Sequence, residues 1–142
     1  MMLYFAYGAN MDASHMAECC PGAQRLGAGV LPGHAFAIAA QGFGRAAPAA
    51  GEDLPGVLWE LTEADVLALD RFEGVPDGMY RRDIAEVRDA DGRLRRAMLY
   101  QPTDPAPGRP RPGYLERIIA VGQTLDLPAT HLDHLRRLVG TR

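Results

Sequence analysis

Asn10 and Glu73 are the two residues of this chain whose types and settings point most directly to chemistry. Asn10 is the only asparagine. It sits in Tyr4-Phe5-Ala6-Tyr7-Gly8-Ala9-Asn10-Met11, where an unbroken apolar and aromatic run meets a glycine, a small residue and an amide. Met1 to Tyr7 reads as a buried strand. Gly8 permits a backbone turn closed to other residues, and Asn10 tolerates left-handed conformations or caps a following helix. A strand running through such a turn into a helix aims several N–H groups at one spot, where an anion or oxyanion binds. The ordinary explanation is a plain strand-to-helix turn.

Glu73 follows an apolar helical pattern and precedes Gly74, which places it at or near a helix C-terminus. A carboxylate there faces the negative end of the helix dipole, which favours its protonated form and raises its pKa. That suits a general acid/base near neutral pH. The ordinary explanation is a solvated glutamate at a helix end.

Other groups offer less. Ser14, the only serine, lies in Asp12-Ala13-Ser14-His15 and not at a nucleophile elbow. The 15 basic residues are all arginine, so Schiff-base chemistry and a P-loop lysine are ruled out. Cys19 and Cys20 are adjacent, a geometry that disfavours a structural disulfide, and packing at a helix end explains them better than nucleophilic catalysis. His131 and His134 lie three apart on one helix face, yet zinc would need a third ligand from His15 or the cysteines; a polar, solvent-facing helix is the simpler account, and no metal is expected. Asp70 and Asp77 flank Glu73, with Asp70 placed to cap or to balance Arg71. Tyr7, Tyr80, Tyr100 and Tyr114 read as core residues with satisfied hydroxyls.

The elements that must position these groups follow from pattern. Met11–Cys20 predicts a short helix ended by Pro21-Gly22. Ala23–Val30 and His34–Ala40 predict two strands with Pro32-Gly33 as the turn between them. Gly42–Pro55, rich in Gly, Ala and Pro, predicts a loop bordering the pocket, and Gly56–Leu61 another strand. Thr62 reads as an N-cap with Asp65 completing a capping box, opening a helix to about Phe72 through Val66, Leu67 and Leu69. Tyr80–Val87 and Leu94–Tyr100 predict a hairpin around Asp91-Gly92, with Arg93–Arg96 on a solvated face. Gln101–Gly113 holds five prolines and reads as an exposed, stiff connector. Helices over Gly113–Leu125 and Pro128–Val139 close the chain. Without a repeated βαβ unit, these elements predict an α+β fold around a mixed, mostly antiparallel, barrel-like sheet.

Composition sets the outer bounds. At 142 residues the chain fits a single domain, 1–142, with a real core. A net charge of -3 argues against nucleic acid or an anionic membrane as the main partner. No apolar run approaches a membrane span and no basic segment precedes the N-terminal apolar stretch, so the expected location is the cytoplasm. A monomer or homodimer acting on a small molecule is the expectation.

The combination of motifs is more specific than its parts. Tyr4-Phe5-Ala6-Tyr7-Gly8-Ala9-Asn10-Met11 resembles the opening segment of the gamma-glutamylcyclotransferase (AIG2-like) family, Tyr-Phe-Ala-Tyr-Gly-Ser-Asn-Leu. Leu69-Asp70-Arg71-Phe72-Glu73-Gly74-Val75-Pro76-Asp77-Gly78-Met79-Tyr80 resembles the family's Glu-Gly-Val…Gly-Met-Tyr segment, which carries its catalytic glutamate. Gly56-Val57-Leu58-Trp59 matches the strand before that helix. Tyr114, Ile118-Ile119, Gly122 and Leu127-Pro128 resemble the late helix with its substrate-contacting tyrosine. The likeness thins between Pro21 and Pro55, and Ala9 stands where the family has serine.

The resemblance implies a small β-barrel with flanking helices, a pocket lined by Tyr4, Phe5, Ala6, Tyr7, Gly8, Ala9 and Asn10 with Tyr114, and catalysis by Glu73 without metal or cofactor. The implied reaction converts a γ-glutamyl compound into 5-oxoproline and a free amine or amino acid. Two alternatives stand beside it: an enzyme for γ-glutamylamines or a secondary metabolite, and a non-catalytic domain that holds a small acid. An intact Glu73 counts against the latter, since a binder has no use for a base.

Overall fold

The computed structural model of the chain describes residues 1–140. Five strands close into a barrel: β1 (Met2–Ala6), β2 (Gln24–Ile38), β3 (Gly44–Leu61), β4 (Tyr80–Arg88) and β5 (Leu94–Pro102), ordered β1-β3-β2-β4-β5. The paired strands are antiparallel except at the seam, where Tyr4 of β1 faces Met98 of β5 in parallel. Four helices flank it: α1 (Ala13–Cys19), α2 (Glu63–Phe72), α3 (Tyr114–Thr124) and α4 (Ala129–Val139). The fold is the expected α+β barrel with fringing helices. Among the described residues no helix is long and apolar enough to cross a membrane.

Only the second half of β1 lies inside: Tyr4, Phe5 and Ala6 are buried, and their partner residues Val57, Leu58 and Trp59 on β3 are equally covered, whereas Met1 and Met2, expected as part of the buried run, are exposed. Gly56 lets the two strands meet, since a β-carbon there would stand 2.8 Å from the Phe5 ring. The β4–β5 hairpin forms as its alternation predicts, turning through Asp89–Gly92.

Two expectations are corrected. Pro32-Gly33 does not reverse the chain. β2 runs through it, paired with β3 on both sides (Leu31 with Leu54, His34 with Pro48), and Gly33 at φ +73° absorbs an irregularity in the register. Proline is tolerated at such bulges because its missing N–H is not needed there. Nor is Gly42–Pro55 a loop: all but its first two residues belong to β3, and the true turn spans Ala39–Phe43, with Ala39 N donating to Phe43 O at 2.8 Å. Gly, Ala and Pro are poor strand formers in isolation, but a long antiparallel partner overrides that preference.

The helices follow their signals closely. Thr62 Oγ1 accepts from Asp65 N at 3.2 Å while Asp65 Oδ2 accepts from Thr62 N at 3.0 Å, completing the capping box. α2 buries Val66 and Leu69 but leaves Leu67 and Phe72 exposed. The stretch expected as one helix from Met11 splits into a 3-10 turn (Ala9–Met11) and α1, because Asp12 caps α1 by accepting from Ser14 N at 3.1 Å. Cys20 is buried and its thiol donates to Asp65 O at 3.7 Å, a packing role.

Candidate active site

A cavity of about 420 Å³ lies against the barrel where β1, the end of α2 and the start of α3 come together, within the range of small-molecule sites. It collects Tyr4, Tyr7, Gly8, Ala9 and Asn10 from the N-terminal segment, Glu73 from the end of α2, and Tyr114 from the start of α3. Phe5 and Ala6 are not on its wall; both are packed in the core, where Phe5 stacks on Tyr7 with ring centres 6.1 Å apart.

Glu73 owes its place to Leu69 one turn earlier, which is fully buried and anchors the last turn of α2. Glu73 N donates to Leu69 O at 2.8 Å, and Gly74 then leaves the helix in the left-handed conformation at φ +71°. The side chain is thereby turned into the cavity. Burial pushes its pKa up from 4.5 to about 7, and a hydrogen bond from Asn10 opposes the rise. The upward direction is the expected one, and desolvation is its main cause.

Asn10 is itself buried, and its role exceeds that of a turn former. Its Nδ2 donates to Glu73 Oε1 at 2.9 Å and to the Tyr4 hydroxyl at 2.8 Å. The 3-10 turn at Ala9–Met11 holds it there, closed by Met11 N donating to Gly8 O at 3.1 Å. Backbone N–H groups at the start of such a turn lack partners within it, and Gly8, Ala9 and Asn10 all border the cavity.

Tyr114 opens α3 behind Gly113, and its hydroxyl accepts from Gly44 N at 2.9 Å. Tyr80 donates from below to Gly44 O at 2.7 Å. Gly44 must be glycine: a β-carbon would stand 2.5 Å from the Phe36 ring and 3.0 Å from the Tyr114 hydroxyl. Tyr7 donates to Tyr100 O at 2.6 Å, and Tyr100 donates to Asp70 Oδ1 at 2.8 Å. Asp70 is buried and pairs with Arg82 at 3.4 Å rather than with Arg71.

Arg71, Asp77 and Met79 also line the cavity, from the same segment that carries Glu73, while Arg117 lines it without any motif signal beyond following Tyr114 at helical spacing. Phe43 does so from the turn before β3, where Arg111 lies over its ring at 4.8 Å. The histidines contradict the surface reading. His131 is buried, its pKa pushed down to about 4 by burial and then by His134, while His134 Nε2 donates to Phe36 O at 2.7 Å. Among the described residues no group of three or more His, Cys, Asp or Glu could hold a metal.

Residues 53–135 match the AIG2-like family, and the chain belongs to it. No curated protein matches the sequence. Among solved structures, a gamma-glutamyl cyclotransferase superposes with a TM-score of 0.84 at 23% identity, over 95% of this chain and 86% of its own. An uncharacterized protein from Homo sapiens gives the same TM-score and coverage at 24% identity. YkqA from Bacillus subtilis matches at 0.82 and 20% identity, over 99% of this chain but 54% of its own. At these identities the likeness establishes the gamma-glutamyl cyclotransferase fold.

Proposed function

We propose that the protein is a γ-glutamylcyclotransferase, releasing 5-oxoproline from a γ-glutamyl compound with Glu73 as its general acid/base. The observation that carries this reading is Glu73 itself: a carboxylate inside the cavity, held by Asn10 and with its pKa raised to about 7. A group with that pKa takes and returns protons at neutral pH.

The chemistry asks little else of the protein. The substrate's own α-amine is the nucleophile, and its attack on the γ-carbonyl carbon closes a five-membered lactam. Holding the substrate folded back recovers much of the roughly 7–11 kcal/mol available to oriented intramolecular reaction. Glu73 removes a proton from the α-ammonium and delivers it to the departing nitrogen. The N–H groups around Gly8 to Asn10 hold the substrate carboxylate or the developing oxyanion. Alanine at position 9 supplies the same N–H as serine and lacks only a hydroxyl. Neither metal nor cofactor enters these steps, because the reaction is a proton shuttle.

A panel of γ-glutamyl amino acids, peptides and amines, assayed for 5-oxoproline, tests the reading and ranks the amino-acid against the amine substrates. Release from at least one member is expected, and it should survive a chelator. No release from any of them would overturn the assignment.

A further inference from the structure

All five tyrosines of the chain line this one cavity. Each phenol has a single proton to donate, and the hydrogen bonds sort them by where that proton goes. Tyr7 gives its proton to Tyr100 O, Tyr80 to Gly44 O, and Tyr100 to Asp70 Oδ1. These three are committed to fixed protein acceptors. Tyr4 and Tyr114 are the reverse: each hydroxyl oxygen receives a hydrogen bond, from Asn10 Nδ2 and from Gly44 N. Among the described residues neither has a protein acceptor for its own proton.

Tyr4 sits against the Asn10–Glu73 pair, where the substrate's ammonium belongs. Tyr114 sits on the other wall. A β-carbon placed on Gly8 would stand 3.4 Å from the Tyr114 hydroxyl, so the phenol and the start of the Gly8–Asn10 turn meet at one point. The Gly44 N–H fixes the phenol oxygen and leaves its proton for a ligand. Burial raises the Tyr114 pKa, which keeps that proton in place.

We propose that Tyr114 is a catalytic residue whose O–H hydrogen-bonds the γ-carbonyl oxygen of the substrate as that oxygen becomes negative. This rests on the cyclotransferase reading of the cavity. As the α-nitrogen bonds to the γ-carbon, the carbonyl π pair moves onto oxygen, and the Tyr114 O–H stabilises it without transferring its proton. The pair then returns, the bond to the departing nitrogen breaks, and that nitrogen takes from Glu73 the proton first removed from the α-ammonium. The new lactam nitrogen gives up its second proton to the freed carboxylate. Donors set at the site of developing charge act mainly in the transition state.

The test is Tyr114→Phe assayed on whichever γ-glutamyl compound the wild type converts fastest, with kcat, KM and the pH profile measured. Removing one oxyanion donor lowers kcat by about 10²–10³-fold, so that loss is expected with KM within threefold. The acid limb of kcat/KM should stay near the Glu73 value of about 7. A raised KM with kcat retained would make Tyr114 a ground-state contact and overturn the proposal. A shifted acid limb would do the same, because Tyr114 would then act through Glu73. Replacing Tyr114 with 3-fluorotyrosine, a stronger donor, should keep kcat at least at the wild-type level. A fall to the Tyr114→Phe level would also overturn it. An inactive wild type would instead remove the cyclotransferase reading beneath it.

Discussion

Asn10 Nδ2 lies 2.9 Å from Glu73 Oε1 and 2.8 Å from the Tyr4 hydroxyl, so one amide ties the proposed base to the first strand of the barrel. Both amide protons are used, and the bond to Glu73 stabilises the ionised carboxylate against the burial that raises its pKa. Asn10→Ala removes that bond. The acid limb of the kcat/KM profile should therefore move up from about 7, with kcat reduced because the carboxylate is no longer aimed. An unmoved limb would show that Asn10 shapes the turn and leaves the base alone.

Glu73→Gln separates chemistry from stability. The amide keeps the size and the acceptor for Asn10 but cannot exchange a proton, so 5-oxoproline formation should fall by about 10²–10⁴-fold. The stability effect depends on pH with a fixed sign. The folded pKa is raised from 4.5 to about 7, so the folded state holds this proton more tightly than the unfolded chain. Its stabilising contribution is complete below about 4.5 and lost as pH rises through about 7. Urea unfolding at pH 5 and pH 8 should show Glu73→Gln gaining on wild type at the higher pH. An equal difference at both values would contradict the raised pKa.

The sequence carries Glu73 well because everything that places it is local: the Thr62–Asp65 box, the spacing of Val66 and Leu69, and Gly74 at the stop. The bond from Asn10 is not legible in that way, since its partner lies 63 positions along the chain. Asn10 shows only its turn-forming side. β3 is hidden for a different reason. Residues 44–55 are extended by pairing with β2 and not by their own preference, so composition there reads as loop. His131 misleads because a neutral imidazole packs like an apolar group, while a histidine pair on a helix looks like surface.

His131 makes a prediction of opposite sign to Glu73. Burial lowers its folded pKa from 6.5 to about 4, so the unfolded chain binds a proton that the folded protein refuses. Its stabilising contribution is complete above about 6.5 and is lost as pH falls toward about 4. His131→Leu removes this acid sensitivity. Relative to wild type it should be more favourable at pH 5 than at pH 8, whatever its packing cost. A difference that does not change with pH would mean that His131 titrates alike in both states.

Asp70 holds the far side of the cavity wall without lining it. It accepts from the Tyr100 hydroxyl at 2.8 Å and pairs with Arg82, whose side chain is about half exposed. The exposed pairing is worth little, so the phenol bond is the main loss in Asp70→Ala. That change leaves a buried hydroxyl without its acceptor, a cost of about 1–3 kcal/mol. Asp70→Asn keeps an acceptor oxygen for Tyr100 and should recover most of it. Thermal and urea unfolding measure both variants. Because Tyr100 also packs edge-on against Tyr4, ring centres 5.7 Å apart, some loss of kcat should accompany the alanine variant and be recovered with asparagine. A fully stable alanine variant would mean that Tyr100 finds another acceptor and that Asp70 is not what fixes this wall.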